Sequence, residues 1–279
     1  MILGMDTGPD WNSFTRKQAS ERWCRQSAAM GRALTELVVR EAEVEPGMEV
    51  LDVACGSGEP AISIAMKLNG TGRVVGIDIS TEPLGVARER AAQRQLTNVS
   101  FQQADVAQLP FEDDRFDRVT CRLGIMFFPD ISRALTEIRR VLRPDGRFVA
   151  AAWGPLAQTY FDLTIGTVRR LIPDLQVSEP KLMFRFGDPA AARSALSAAG
   201  FVNVHAELRT VPWNWEGSPD ELWQYFQGVT VPFAPLLNAI PKDRKGEVDR
   251  EVTAGLSHLY DGDAVRLEAQ FTLATAMKA

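Results

Sequence analysis

The chain has 279 residues, 45% hydrophobic and 24% charged, with a formal net charge of −5. That length and balance suit one elaborated α/β domain with a core able to exclude water, and the acidic charge with no long basic run argues against a nucleic-acid surface. Three widely spaced cysteines (Cys24, Cys55, Cys121) argue against a disulfide framework, and two lone histidines (His205, His258) against a metal site.

Residues 1–11 lack the basic-then-apolar order of a secretory signal. No apolar run approaches a membrane span, so no integral membrane segment and a cytoplasmic location are expected. Oligomeric state is not legible.

Ser20 to Ala42 reads as a helix, with Trp23, Met30, Leu34, Leu37 and Val38 on one side and Glu45-Pro46-Gly47 as its stop. Glu49 to Ala54 is a short apolar strand, followed by the turn Cys55-Gly56-Ser57-Gly58 and a buried helix from Ala61 to Leu68. Pro60 fits the first turn of that helix, where its missing N–H costs nothing. Arg73 to Ile79 is a second strand, and Ser80 or Thr81 caps a helix reaching about Leu96. Val99 to Ala104 and Phe116 to Cys121 are the third and fourth strands. Asp130 caps an amphipathic helix, and Arg143-Pro144-Asp145-Gly146 turns into a fifth strand, Arg147 to Trp153. Strands alternating with helices at this pitch imply βαβ units and a parallel sheet.

After Trp153 the alternation loosens. Residues 154–189 are mixed helix and loop, Ala190–Ala199 is a short helix, and Phe201–Val211 is a strand. Residues 212–263 are helices broken by Pro232, Pro235 and Pro241, and Val265–Met277 is a closing strand. The expected organisation is a single domain over 1–279. It comprises a helical cap (1–45), a ligand-binding core (46–153) and two insertions (154–189 and 212–263).

The chemistry concentrates at strand ends. Side chains at Gly56 and Gly58 would block a ligand from the backbone of the strand-to-helix turn. Gly56 to Ala61 also satisfies the dinucleotide pattern G-x-G-x-x-G/A, so the turn alone does not choose its ligand. Three carboxylates narrow the choice, since in an open α/β sheet they face one crevice. Asp78 suits the two hydroxyls of a ribose, Asp105 the exocyclic amine of an adenine, and Asp52 a cationic tail. A pyrophosphate would be repelled by a carboxylate so near the turn.

Asp52-Val53-Ala54-Cys55-Gly56-Ser57-Gly58-Glu59 resembles the first motif of class I S-adenosylmethionine-dependent methyltransferases, especially the branch of ubiquinone/menaquinone C-methyltransferases and sterol methyltransferases. Gly76-Ile77-Asp78 is similar to that family's ribose motif. Ala104-Asp105-Val106 with Leu109-Pro110-Phe111 is similar to its adenine motif, and Phe116–Val119 and Leu142–Arg147 to its later strand signatures. Ala54 stands where a common family form has Gly. The resemblance covers roughly residues 46–153 and implies a doubly wound seven-stranded, mostly parallel sheet of order 3-2-1-4-5-7-6 with an antiparallel last strand. It implies S-adenosylmethionine as cofactor, with Ala54, Gly56, Ser57 and Gly58 along its methionine moiety. Asp78 with Ile79, Asp105 with Val106, and Leu123 would line the remainder. Trp23 is equally a cover for that site or a core tryptophan.

The implied activity is methyl transfer by in-line displacement to a small hydrophobic or aromatic acceptor. No residue is marked as a general base. Acceptor-pocket candidates in or near the insertions are Tyr160, Phe184, Trp213, Trp223 and Phe226; packing between lid helices is the plainer reading of most of these rings taken singly, and together they favour a hydrophobic or aromatic acceptor. Two alternatives stay open: a non-catalytic cofactor-binding module and a nicotinamide oxidoreductase.

Overall fold

The structure, a computed structural model, describes residues 14–279, with side chains from residue 16 onward. The part of the expected cap before residue 14 lies outside the described residues. The chain divides into two compact units. A sheet unit comprises Leu34–Pro155, Phe184–Arg209 and Gln270–Ala279; a helical unit gathers residues 14–33, Leu156–Met183 and Thr210–Ala269.

The strands are β1 (Glu49–Val53), β2 (Arg73–Asp78), β3 (Val99–Gln103), β4 (Phe116–Arg122), β5 (Leu142–Trp153), β6 (Val202–Pro212), β7 (Trp215–Glu216), β8 (Ala264–Val265) and β9 (Glu268–Met277). Seven form one sheet in the order β3-β2-β1-β4-β5-β9-β6, while β7 and β8 pair separately in the helical unit. Since β9 is the seventh strand of the large sheet, this is the implied 3-2-1-4-5-7-6. β1 to β5 pair in parallel, and β9 runs antiparallel to β5 with Trp153 opposite Phe271. Their rings tilt together at 4.6 Å. β1 and β2 are buried along nearly their whole length, which is why they read as unbroken apolar runs rather than alternating ones.

The first six helices are α1 (Phe14–Arg22), α2 (Cys24–Met30), α3 (Arg32–Glu41), α4 (Ala61–Leu68), α5 (Thr81–Gln93) and α6 (Ile131–Val141). The Asp130 cap of α6 is present, accepting from the Arg133 N–H at 2.9 Å. Three local expectations change. The single helix from Ser20 to Ala42 is α1, α2 and α3, interrupted at Trp23 and Gly31, because its apolar side chains serve two cores. Trp23 packs in the helical unit, whereas Leu34, Leu37 and Val38 are buried in the sheet unit. The Ser80 hydroxyl makes no cap bond; Ser80 instead donates its backbone N–H to Asp78 Oδ1 at 2.9 Å. Residues 143–146 lie within β5, which begins at Leu142 with a register shift against β4.

The helical unit is built on aromatic packing. A helix over Pro219–Val229 opens with a capping box between Ser218 and Glu221. Trp223 donates its indole N–H to Asp249 Oδ1 at 2.7 Å on the helix Lys245–Ser257. No helix among the described residues is long and apolar enough to cross a membrane.

Candidate functional site

Parallel pairing of β1, β2, β3 and β4 puts their carboxyl ends along one edge of the sheet unit. The register sets Asp52 beside Gly76 and Thr120, and Asp78 beside Gln103. The turn after β1 is fixed by Cys55 N–H to the Ile77 carbonyl at 2.9 Å and Gly58 N–H to the Cys55 carbonyl at 2.8 Å. Ala54, Gly56 and Gly58 have φ of +56°, +51° and +102°. A left-handed alanine is a strained choice that such a site has to hold in place.

The two glycines serve different ends. A Cβ on Gly58 would meet Ile62 Cδ1 at 2.7 Å and Ala87 Cβ at 3.2 Å, so this glycine lets α4 and α5 close behind the turn. A Cβ on Gly56 would meet nothing within 4 Å. Its open side is where a ligand can lie against the backbone. Leu123, just past β4, is also left-handed (φ +60°), and its N–H donates to the Ala151 carbonyl at 2.8 Å. Gly124 packs directly against Ala54 Cβ, so the ends of β1 and β4 touch.

The three carboxylates differ in environment. Asp78 is half-buried and latches the turn: Oδ2 accepts from Gly56 N–H at 2.9 Å and Oδ1 from Ser80 N–H. A carboxylate has about four lone-pair sites, so these two bonds leave acceptor capacity on both oxygens. Asp105 is exposed, with Oδ1 accepting from Ala107 N–H at 2.8 Å. Ile79, 61% exposed beside Asp78, is an apolar surface of the kind a flat purine covers, and Val106 is half-buried next to Asp105.

Asp52 is placed under the turn, not on its surface. It is 0% exposed, with Oδ2 accepting from Ala61 N–H at 3.0 Å and Oδ1 from the Thr120 hydroxyl at 2.8 Å. Burial pushes its pKa up to about 7, against the opposing pull of those two hydrogen bonds and of Arg122. The charge expected beside a cationic tail therefore sits below the backbone and acts on a ligand only through space. Burial likewise holds the Cys55 and Cys121 thiols protonated, which removes them as nucleophiles.

Ala54, Gly56, Ser57, Gly58, Asp78, Ile79, Asp105, Val106 and Leu123 thus share one edge of the sheet unit. Trp23 belongs to the helical unit, its ring edge-on to Trp215 at 6.4 Å and Tyr225 at 6.2 Å. Tyr160, Trp213, Trp223 and Phe226 share that unit and are buried. Tyr160 lies 5.6 Å from Phe226, which stacks on Trp223 at 5.6 Å. Phe184 is half-buried in the sheet unit, beside Arg185, which donates to the Phe128 carbonyl at 2.8 Å. Sequence reasoning missed Thr120, which completes the Asp52 shell, and Arg90, which grips the turn through Ser57 and Glu59. The Glu59 carboxylate directly after the glycine turn was the available pointer to a cation there.

A methyltransferase-domain family model matches residues 44–181. A 2-phytyl-1,4-naphtoquinone methyltransferase of Trichormus variabilis is 38% identical over 122 residues, covering 43% of this chain and 53% of that protein. A demethylmenaquinone methyltransferase of Staphylococcus aureus is 32% identical over 184 residues, 62% of this chain and 76% of that protein. Against the first of these and two similar proteins, the chain spans about half the length of the curated relatives it matches. Among solved structures, the YcgJ protein of Bacillus subtilis superposes with a TM-score of 0.57 at 23% identity, over 88% of this chain and 97% of that one, a likeness of fold. With the strand order, the glycine turn and these relatives in agreement, the chain belongs to the S-adenosylmethionine-dependent methyltransferase family.

Proposed function

We propose that the chain transfers a methyl group from S-adenosylmethionine to a small hydrophobic or aromatic acceptor of the quinol type. The observation that carries the cofactor reading is the carboxyl edge of β1–β4, where an open-sided Gly56 stands hydrogen-bonded to Asp78, with Asp105 beyond the next strand. The names of the relatives give a naphthoquinone and a menaquinone, and the reduced, electron-rich quinol is the form of such a ring able to act as nucleophile towards an electrophilic methyl.

Bound there, the cofactor supplies an electrophilic methyl on a sulfonium. The chain's own work is to bind and orient. The Ala54–Gly58 backbone takes the methionine end, Asp78 the ribose hydroxyls, Asp105 the adenine amine and Ile79 the purine face. Asp52 adds negative potential from beneath. Orientation and exclusion of water supply most of the rate when the electrophile is already activated.

The test is transfer of label from methyl-labelled S-adenosylmethionine to a panel of naphthoquinols, lipophilic phenols, amines and nucleic acid. Label entering the lipophilic aromatics is expected. Label entering only the amines or nucleic acid contradicts the acceptor class. No transfer at all, with S-adenosylhomocysteine still bound, would identify a non-catalytic cofactor-binding module.

A further inference from the structure

The turn after β1 contains two glycines with positive φ, and glycine peptides flip at little cost. Something outside the turn must therefore set its orientation. Arg90 on α5 donates from Nη1 to the Ser57 carbonyl at 2.6 Å and from Nη2 to Glu59 Oε1 at 2.9 Å. Glu59 Oε2 in turn accepts from the Ser63 hydroxyl at 2.6 Å and the Ser63 N–H at 3.3 Å on α4. The Arg90 and Glu59 side chains are only 20% and 18% exposed, sheltered enough for a charge-assisted pair to hold its geometry.

The consequence lies in a single peptide plane. The Ser57–Gly58 peptide has its carbonyl held by Arg90 and its N–H held by the Cys55 carbonyl. With both ends held, the plane cannot rotate, and the backbone on either side presents one fixed face. We propose that Arg90, anchored by Glu59, is a positioning residue that sets the cofactor turn to receive the methionine end of the ligand. This rests on the cofactor reading above. Arg90 acts through the turn and not by touching the transferred group.

The test compares two ligands that share adenine, ribose and sulfur but differ in the amino-acid tail: S-adenosylhomocysteine and 5′-methylthioadenosine. By calorimetry on the full chain, Arg90→Ala should weaken S-adenosylhomocysteine by at least about tenfold and leave 5′-methylthioadenosine within about twofold. Arg90→Lys should recover part of the loss, because an ammonium keeps the charge but cannot reproduce the planar fork onto both acceptors. Glu59→Gln should fall between wild type and Arg90→Ala. If Arg90→Ala does not fold, Arg90→Lys and Glu59→Gln must show the same tail-selective loss. Equal weakening of both ligands, or no weakening of either, overturns the positioning role in favour of a plain tie between helices. A wild-type chain that binds neither ligand defeats the cofactor reading itself.

Discussion

The Gly56 N–H points at Asp78 Oδ2 across 2.9 Å, from the turn after β1 to the end of β2. The carboxylate expected to hold a ribose is thus also the latch of the loop beside it. Removing it should cost the ligand twice, once through lost hydroxyl acceptors and once through a loosened turn. Charge-assisted hydrogen bonds contribute about 1.5–3 kcal/mol each. Asp78→Ala should therefore bind S-adenosylhomocysteine at least about tenfold more weakly while remaining folded, as calorimetry and melting curves can check. Unchanged affinity would leave Asp78 as a local brace only.

The two turn glycines should separate binding from stability. Gly56→Ala places a methyl in open space at φ +51°. It pays only the left-handed strain of about 1–2 kcal/mol, but it stands where the ligand must lie. Gly58→Ala drives a Cβ to 2.7 Å from Ile62 at φ +102° and should lower the melting temperature markedly. The expected contrast is a folded, ligand-deficient Gly56→Ala against a destabilised Gly58→Ala. Equal effects of both on melting and on binding would show that the open side of Gly56 faces no ligand.

Asp52 gives a pH signature. Burial raises its folded-state pKa to about 7 from an ordinary value near 3.8. Its contribution to stability is therefore fully present below about pH 3.8 and is lost as pH rises towards and through 7. Three units would correspond to a few kcal/mol, of the order of 4. In denaturant unfolding at pH 5 and pH 8, wild type should lose stability relative to Asp52→Asn, which cannot ionise. A constant difference between the two proteins would mean that Asp52 titrates normally.

On the proposed function, the aromatic side chains Trp213, Trp223 and Phe226 are expected to decide acceptor selectivity, because a cofactor common to the whole family cannot discriminate between acceptors. Trp213→Ala, Trp223→Ala and Phe226→Ala should alter acceptor turnover while leaving S-adenosylhomocysteine affinity within about twofold, near 0.4 kcal/mol. Trp223 and Phe226 are 2% and 0% exposed, so their truncation should also cost about 3–5 kcal/mol of stability. Trp213 and Tyr160, 8% and 4% exposed, should carry a similar stability cost on truncation, so melting curves accompany the kinetics of every variant. The Tyr160 hydroxyl is held neutral by burial, with Trp213 opposing that shift. If folded variants at all of these positions process a true acceptor as wild type does, selectivity lies elsewhere.

The sheet was legible because its signals are local. β1 and β2 are short apolar runs, the glycine turn after β1 and the Asp130 cap sit next to the elements they bound, and the family motifs follow in chain order. What escaped depends on distant partners. Thr120 meets Asp52 from 68 residues away, on the neighbouring strand β4. Arg90 reaches Ser57 across 33 residues. The break of one long helix at Trp23 and Gly31 was hidden because a single apolar stripe on the sequence was shared between two cores.

On the proposed function, the carboxyl edge of β1–β4 binds S-adenosylmethionine and not a nicotinamide dinucleotide. Titration calorimetry on the wild-type chain tests it most directly. S-adenosylmethionine and S-adenosylhomocysteine should bind saturably at one site, with NAD and NADP giving no measurable heat. A saturable nicotinamide signal with neither adenosylated ligand bound would contradict the account.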